Sequence, residues 1–511
     1  MQIKDIEKIQ NVLKHEMRTS LKRKNLQKTI ELIDAYADAT QRVNNILRDD
    51  EVENIIENIA DLYIDQSADI FNGDEKSVVF YDQIGTCICL ALQYLRALSF
   101  NGYKITYIYE SSIHAVNPRL IEEIKDICYT LQIFDTKNVY CSNKFVANDI
   151  RDIILKANPS KIIVHQEATG ALAMSVLYSI RGATKYKIIP GDHHFYLGFK
   201  CFDYFLEFRR FGWSTAVYER HIPADKIYNM PYYPLIDEFV AFQGFPFNRN
   251  NKVVIGAGGA SYKFQGSTLF YSLLERILEN SDNAVFVFIG VPTEQMKELS
   301  QQEKMKSKIF LLGYRRDFSS LIKNIDILIN SYPFSGGLFC QTAAYHNKPI
   351  LSFSNESYFI ENCVDDLLGK PDINNLITFT SKTDFISEAM KLIADEQYRK
   401  ERGQKNHDML TTKYEFDERL DLILSGKCES IADLQIEYID RSCRIDNYLK
   451  INNQEEPTVL LFPSKILGVS IFWKFSFLKK DLLRHFKYIV IHILSYYSIL
   501  QKIKHKSLVL M

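Results

Sequence analysis

The sequence contains no C-x-x-C pair and no histidine cluster at zinc-ligand spacing, which removes the common zinc-site patterns. No Asp-x-Asp follows an apolar strand, so the simplest carboxylate pair for a divalent cation is also missing. There is no excess of either charge. Lys and Arg number 62 against 63 Asp and Glu, a formal net charge of -1. A general nucleic-acid binder needs surplus positive charge to neutralise phosphates, and that class is excluded. The nine cysteines are scattered and odd in number. Cys87 and Cys89 alternate along an apolar stretch and read as small buried side chains. The N-terminus, Met1 to Asp5, is charged from the start and has no apolar signal core. Together these features predict a reducing, cytoplasmic setting rather than secretion.

What is present is a folded composition: 511 residues, 46% hydrophobic and 24% charged. That length holds two α/β domains with extra segments. Residues 1–75 form a helical segment in which Ile30, Leu32, Ile33 and Tyr36, then Val52, Ile55, Ile56 and Ile59, recur at helical spacing. Two uses fit it: an oligomerisation or acceptor-docking appendage, and a helical cap on the domain that follows. Residues 76–240 alternate strand and helix. Strands are expected at Val78–Tyr81, Lys104–Tyr109, Lys161–His165 and Tyr186–Pro190, with a helix from Pro118 to Leu131. Residues 241–430 repeat the texture, with strands at Lys252–Gly256, Ala284–Gly290, Lys308–Gly313, Asp326–Asn330 and Pro349–Phe353. Such alternation implies two Rossmann-like, doubly wound parallel sheets with ligands in the crevice outside their carboxyl ends.

Three segments carry chemistry. In Val253–Lys263 a buried strand enters Gly256-Ala257-Gly258-Gly259, and Lys263 offers a charge to a diphosphate. In Ile327–Tyr345 an apolar strand ends in Tyr332-Pro333-Phe334-Ser335-Gly336-Gly337, and a helix opens near Leu338. Its free amides would face an anion, with Gln341 and Thr342 adding side-chain contacts. In Gly191–Gly198 the run Asp192-His193-His194 follows a buried strand, where a histidine can serve as general base and Asp192 can orient it or act as the base itself. Asp203–Arg209, with Glu207, follows as part of the same segment, and His165, which ends a strand, is expected in the acceptor wall of the cleft. His114 and His165, taken alone, read as structural histidines.

Asp326–Phe353 resembles the donor-binding signature of GT-B glycosyltransferases, most closely O-GlcNAc transferase and its bacterial cytoplasmic relatives, where a Pro-aromatic-x-Gly-Gly loop precedes the helix capping the nucleotide phosphates. Gly313-Tyr314-Arg315-Arg316-Asp317 is similar to the region that holds the nucleoside base, and Lys263 to the phosphate-pairing cation. Gln341 departs from the family, where many members carry an acidic residue for the ribose. Asp192–Gly198 resembles an Asp-His-x-Phe-Trp-Leu-Gly stretch of bacterial polysaccharide glycosyltransferases, with Tyr196 in place of Trp. The resemblance spans residues 78–420. It implies a cytoplasmic, metal-independent transferase without cofactor, moving a sugar from a nucleotide diphosphate-sugar, with UDP-sugar expected, to a saccharide, lipid-linked or protein acceptor. His193 and Asp192 are the implied catalytic residues. Gly258, Gly259, Lys263, Tyr314, Arg315, Gly336, Gly337, Gln341 and Thr342 are the implied donor contacts, and His194, Glu207 and His165 the acceptor side. Without an Asp-x-Asp metal site, the leaving diphosphate would be neutralised by Lys263, Arg315 or Arg316 and by helix N-termini. A sugar-nucleotide epimerase of the same fold and an inactive nucleotide-sugar-binding scaffold are the alternatives.

Residues 431–511 form a different texture. From Lys465 to Met511 nine Lys or Arg residues face one acid, Asp481, with Phe472, Trp473, Phe475, Phe477, Phe486, Tyr488, Tyr496 and Tyr497 interleaved. The apolar stretch Tyr488–Gln501 is too short to span a bilayer of about 30 Å. Two uses fit: a helical tail on the inner face of an anionic membrane, which the one-sided charge favours, and a helix packed across both domains.

Overall fold

The computed structural model describes residues 3–64, 74–83, 88–110, 118–134, 143–166, 168–236, 240–265 and 267–454. Its first elements are the helices Ile3–Lys22, Leu26–Val43 and Asp50–Tyr63. Asn25 caps the second by accepting from the Lys28 amide, and Asp49 caps the third by accepting from Glu51 and Val52. Their apolar stripes do not project into solvent. Ile33, Tyr36, Val52 and Ile56 enter the same core as Val79, Ile162 and Val164 of the sheet beneath, so the segment is a cap on the first domain.

The first sheet has seven strands: β1 (Asp74–Asp82), β2 (Lys104–Glu110), β3 (Thr130–Phe134), β4 (Pro159–His165), β5 (Thr184–Ile188), β6 (Tyr204–Glu207) and β7 (Ile227–Asn229). All are parallel, in the order β3-β2-β1-β4-β5-β6-β7. The second sheet comprises β8 (Val253–Gly258), β9 (Ala284–Ile289), β10 (Ile309–Gly313), β11 (Ile327–Ile329), β12 (Ile350–Phe353) and β13 (Thr378–Phe379), ordered β10-β9-β8-β11-β12-β13. Both orders reverse direction beside their first strand, between β1 and β4 and between β8 and β11. Those reversals are the crevices where doubly wound sheets take ligands.

Several elements differ from expectation. The helix expected over 118–131 stops at Ile127, and Thr130–Phe134 forms β3. Helical periodicity continues through Cys128 and Tyr129, but pairing with β2 gives the following backbone groups their partners. Strands β6 and β7 are too short for alternation to reveal them. The helix Lys413–Leu424 belongs by sequence to the second unit, yet it crosses back onto the first. Phe416, Leu420, Ile423 and Leu424 share a core with Tyr94, Leu95 and Tyr233. Phe416 meets Tyr94 and Tyr233 edge-on, with ring centroids 5.1 and 5.3 Å apart. Phe416→Leu keeps the hydrophobe but loses both aromatic contacts, and the expected cost is about 1–3 kcal/mol by urea unfolding.

Beyond this helix the chain straps across the first domain. Ile431 donates its amide to Ile227, Ile439 donates to the Ser214 hydroxyl, and Arg441 donates to the Asn44 carbonyl. The helix Ser442–Gln454 follows. Among the described residues no helix is long and apolar enough to cross a membrane. The basic aromatic segment from Lys465, Cys87, the Cys89 side chain and His114 lie outside what the structure describes.

Candidate functional site

The loop after β5 carries the Asp192-His193-His194 run, and its shape is imposed from three sides. Arg220, fully buried, donates to the carbonyls of Asp192 (2.9 Å) and His194 (2.8 Å). Asn44, which ends the second N-terminal helix in a left-handed conformation, accepts from the Phe195 amide at 2.7 Å. Glu53, from the third helix, accepts from the Gly198 amide at 2.7 Å. None of these three was legible as functional in the sequence. Each acts over more than 20 residues of separation, and a lone Arg, Asn or Glu among many carries no local signal.

His193 Nδ1 pairs with Asp192 Oδ1 at 3.0 Å, and the side chain is 22% exposed. Burial, together with the charges of His194 and Arg444, holds the His193 pKa well below the usual histidine value, against the pull of Asp192. His193 is therefore neutral at physiological pH, the form a general base requires. Asp192 has no exposure and is gripped by the Arg209 guanidinium through both carboxylate oxygens. Burial opposes its ionisation, but Arg209 and His193 prevail and keep the carboxyl well below the ordinary range. So committed, Asp192 orients His193 and has no basicity of its own to use.

His194 turns toward the N-terminal cap, with Nδ1 3.5 Å from Gln41 Nε2, and burial lowers its pKa to about 4. His165, at the end of β4, is wholly buried and pairs through Nδ1 with Asp82 (3.0 Å), which also accepts from Tyr107. Tyr196 packs between Lys187 and Arg220 as a core ring.

Glu207, ending β6, is buried with neither carboxylate oxygen hydrogen-bonded, and Arg220 approaches only to 3.9 Å. Burial lifts its pKa from 4.5 to about 8, against Arg220 and with help from Asp192. The folded state thus holds this proton more tightly than the unfolded chain. Its stabilisation is complete below about pH 4.5 and is lost as pH rises through about 8. Glu207→Gln, neutral at every pH, should raise Tm at about pH 8 and flatten the decline of Tm from about pH 5 upward, as calorimetry would show.

On the facing sheet, Lys263 follows β8 in a short 3-10 turn and donates from Nζ to the Ser335 carbonyl at 3.1 Å. Burial lowers its pKa, with Arg444 and Arg209 acting in the same direction. Gly258 is required by packing, since a Cβ there would lie 2.2 Å from the Ile289 carbonyl oxygen. The Gly259 amide is taken by that same oxygen at 3.0 Å. At the second loop, Asn330 accepts from the Gly336 amide (2.9 Å) and sets the entry to the helix Gly337–Tyr345. Its following amides are the unpaired first-turn donors. Gln341 is buried and donates from Nε2 to the carbonyls of Leu367 (2.9 Å) and Tyr232 (3.3 Å), while Oε1 stays unpartnered. It can accept from a hydroxyl but has no donor to spare. The Thr342 hydroxyl is spent on the Leu338 carbonyl in its own helix. Tyr314 is 85% exposed and free to offer a ring face. Arg315 is turned away, bound to Asp317 and to the Gly244 carbonyl, and Arg316 is exposed.

The two halves meet at this point. Arg209 donates from Nη1 to the Glu361 carbonyl (2.8 Å), and Gln341 reaches Tyr232, so the carboxyl ends of both sheets border one cleft. His193 lies on one wall, and Lys263 with the Gly336–Gly337 helix start lies on the other. The helix Ser442–Gln454 closes a side of the cleft, with Tyr448 between His193 (centroids 6.4 Å apart) and Phe334 (5.2 Å). Among the described residues no group of three or more His, Cys, Asp or Glu is arranged to hold a metal ion.

No protein-family model matches this sequence, and comparison with curated proteins finds no match. Solved structures do match. A glycosyltransferase from Rickettsia africae is 14% identical with TM-score 0.51, over 70% of this chain and 99% of that one. The Anabaena protein HepE, solved in complex with UDP and glucose, is 13% identical with TM-score 0.50, over 68% and 99%. An O-GlcNAc transferase from Thermobaculum terrenum is 11% identical with TM-score 0.49, over 87% and 83%. At these identities the likeness concerns the fold. The chain has the two-sheet GT-B fold, shared with the Rickettsia and Anabaena structures, as the sequence resemblance implied.

Proposed function

We propose that this protein is a glycosyltransferase that moves a sugar from a nucleotide diphosphate-sugar, a UDP-sugar in the first instance, to a saccharide or lipid-linked saccharide hydroxyl. One observation carries the reading: His193, paired with Asp192, stacks near the Tyr448 ring, and that ring also packs on Phe334 of the loop whose Ser335 carbonyl accepts from Lys263 and whose Gly336–Gly337 opens the next helix. The second sheet holds the diphosphate with Lys263 and the first-turn amides after Gly336, which neutralise the charge that develops as the sugar leaves. His193 removes the proton from the acceptor hydroxyl as its oxygen bonds to the anomeric carbon. The bond from that carbon to the diphosphate breaks, and the nucleoside diphosphate departs. Tyr314 offers its ring to the base, and Gln341 Oε1 accepts from a sugar or ribose hydroxyl. Charge neutralisation by these groups requires no metal. The basic aromatic tail beyond Lys465 suits an acceptor held at an anionic membrane surface.

Thermal stabilisation of the full chain in EDTA, across nucleoside diphosphates and their sugars, tests the reading. A native-state ligand at a hundredfold excess over its Kd stabilises by about 2.7 kcal/mol. One nucleotide family should raise Tm in the wild type and fail to do so in Lys263→Ala. A folded protein that responds to none of them would remove the donor site, and with it the transferase reading.

A further inference from the structure

Of the three cations expected from the sequence to neutralise a diphosphate, Lys263 is the one seen to reach the Pro-Phe-Ser-Gly-Gly loop, through the Ser335 carbonyl. Arg315 is tied to Asp317 and Arg316 is exposed. A different arginine lies there. Arg444, on the helix Ser442–Gln454, is 4% exposed and its guanidinium is sandwiched between the rings of Phe211 (5.4 Å) on the first domain and Phe334 (5.2 Å) on the Pro-Phe-Ser-Gly-Gly loop. Its Nε donates to Glu361 and its Nη1 lies 3.4 Å from the Tyr448 hydroxyl. Nη2 has no partner among the described residues, and Glu361 Oε2 has none either.

The charge balance around it is incomplete. Arg209, Arg444 and Lys263 bring three positive charges to the cleft. Asp192 and Glu361 bring two negative ones, since Asp366 is engaged by Arg210. An unmatched charge in a buried setting is costly and calls for a counter-ion. Arg444 also depresses the pKa values of both His193 and Lys263, which puts its field on both walls.

We infer that Arg444 is a donor-binding residue: its guanidinium supplies the second positive charge, beside Lys263, for the diphosphate of the sugar nucleotide. The inference rests on the transferase reading and adds to its donor site a residue from a segment that composition assigned to the tail. The helix is built to present it. Ile445 and Leu449 pack on Ile6 and Val43 of the N-terminal cap, and Arg441 binds the Asn44 carbonyl, while Arg444 and Tyr448, one turn apart, face the cleft. Toward the substrate Arg444 acts by contact alone, and no proton is transferred to or from it, because guanidinium stays charged throughout the working pH range.

The test is calorimetric titration of the full chain with UDP, GDP, ADP and dTDP and with the matching monophosphates. Arg444→Ala should weaken the diphosphate that the wild type binds by about 10- to 30-fold and its monophosphate by less than about threefold, the loss of one charge-assisted contact to the outer phosphate. Because Arg444→Ala leaves the Glu361 carboxylate buried and alone, the double variant Arg444→Gln/Glu361→Gln is measured beside it. With no charge orphaned it should keep its Tm and still show the diphosphate-selective loss. Wild-type diphosphate affinity in that folded double variant would overturn the inference while leaving the donor site standing. A wild type that binds none of the diphosphates would overturn the transferase reading and this inference together.

Discussion

His193→Ala should lower the rate of sugar transfer by about 10²- to 10⁴-fold while leaving the affinity for the donor nucleotide within about twofold. The magnitude is that of a general base lost from an otherwise intact site. His193 lies on the first-domain wall, and Lys263 and the Gly336–Gly337 loop that would hold the donor belong to the other sheet. The expected split is therefore in kcat rather than in donor binding. The pH profile adds a second readout. Burial keeps the wild-type imidazole neutral well below its ordinary 6.5, so the acidic limb of kcat should fall below that value. Equal transfer rates in wild type and His193→Ala, with any acceptor that supports turnover, would take the base away from this residue.

Asp192→Ala should cost about 3–5 kcal/mol of stability, the usual consequence of removing one partner from a buried ion pair. Arg209 would be left with its Glu361 carbonyl contact, 4% exposed and without the carboxylate that balances it. The melting temperature should drop by about 3–5 °C on that basis, given the length of the chain. Asp192→Asn retains a hydrogen-bonding oxygen for Arg209 and should lose less stability, but its amide cannot hold the imidazole as a carboxylate does, so transfer should fall in both variants. Scanning calorimetry and initial rates on the same samples separate the two effects. An unchanged Tm in Asp192→Ala would mean that Arg209 finds water or another anion, and the buried pair would not be a net source of stability.

The candidate site was legible in parts for a definite reason. Asp192, His193, Lys263, Gly336 and Gly337 each stand in a short run just after an apolar strand, and the end of a parallel strand is where such a fold exposes functional groups. Position along the chain therefore carried the information. Direction did not follow from position. Arg315 lies in the expected place yet binds Asp317, Thr342 closes on its own helix, and the Gly259 amide serves the neighbouring strand. Local hydrogen bonds settle these orientations, and sequence spacing does not encode them.

Alternation of apolar strands with helices was enough, on its own, to determine two doubly wound units, because each buried parallel strand needs a continuous apolar run and each crossover needs a helix. The N-terminal helices followed from their period and from the absence of proline and glycine breaks. Only the tertiary structure decided where those helices and the C-terminal one pack and which polar groups they meet. Asn44 reaches Phe195 across 151 residues, Glu53 reaches Gly198 across 145, and Arg444 reaches Glu361 across 83. A contact of that kind forms only when separate elements are folded against each other. Neither partner has a neighbour in sequence that betrays it, and so the polar groups that shape the cleft become visible only in the folded chain.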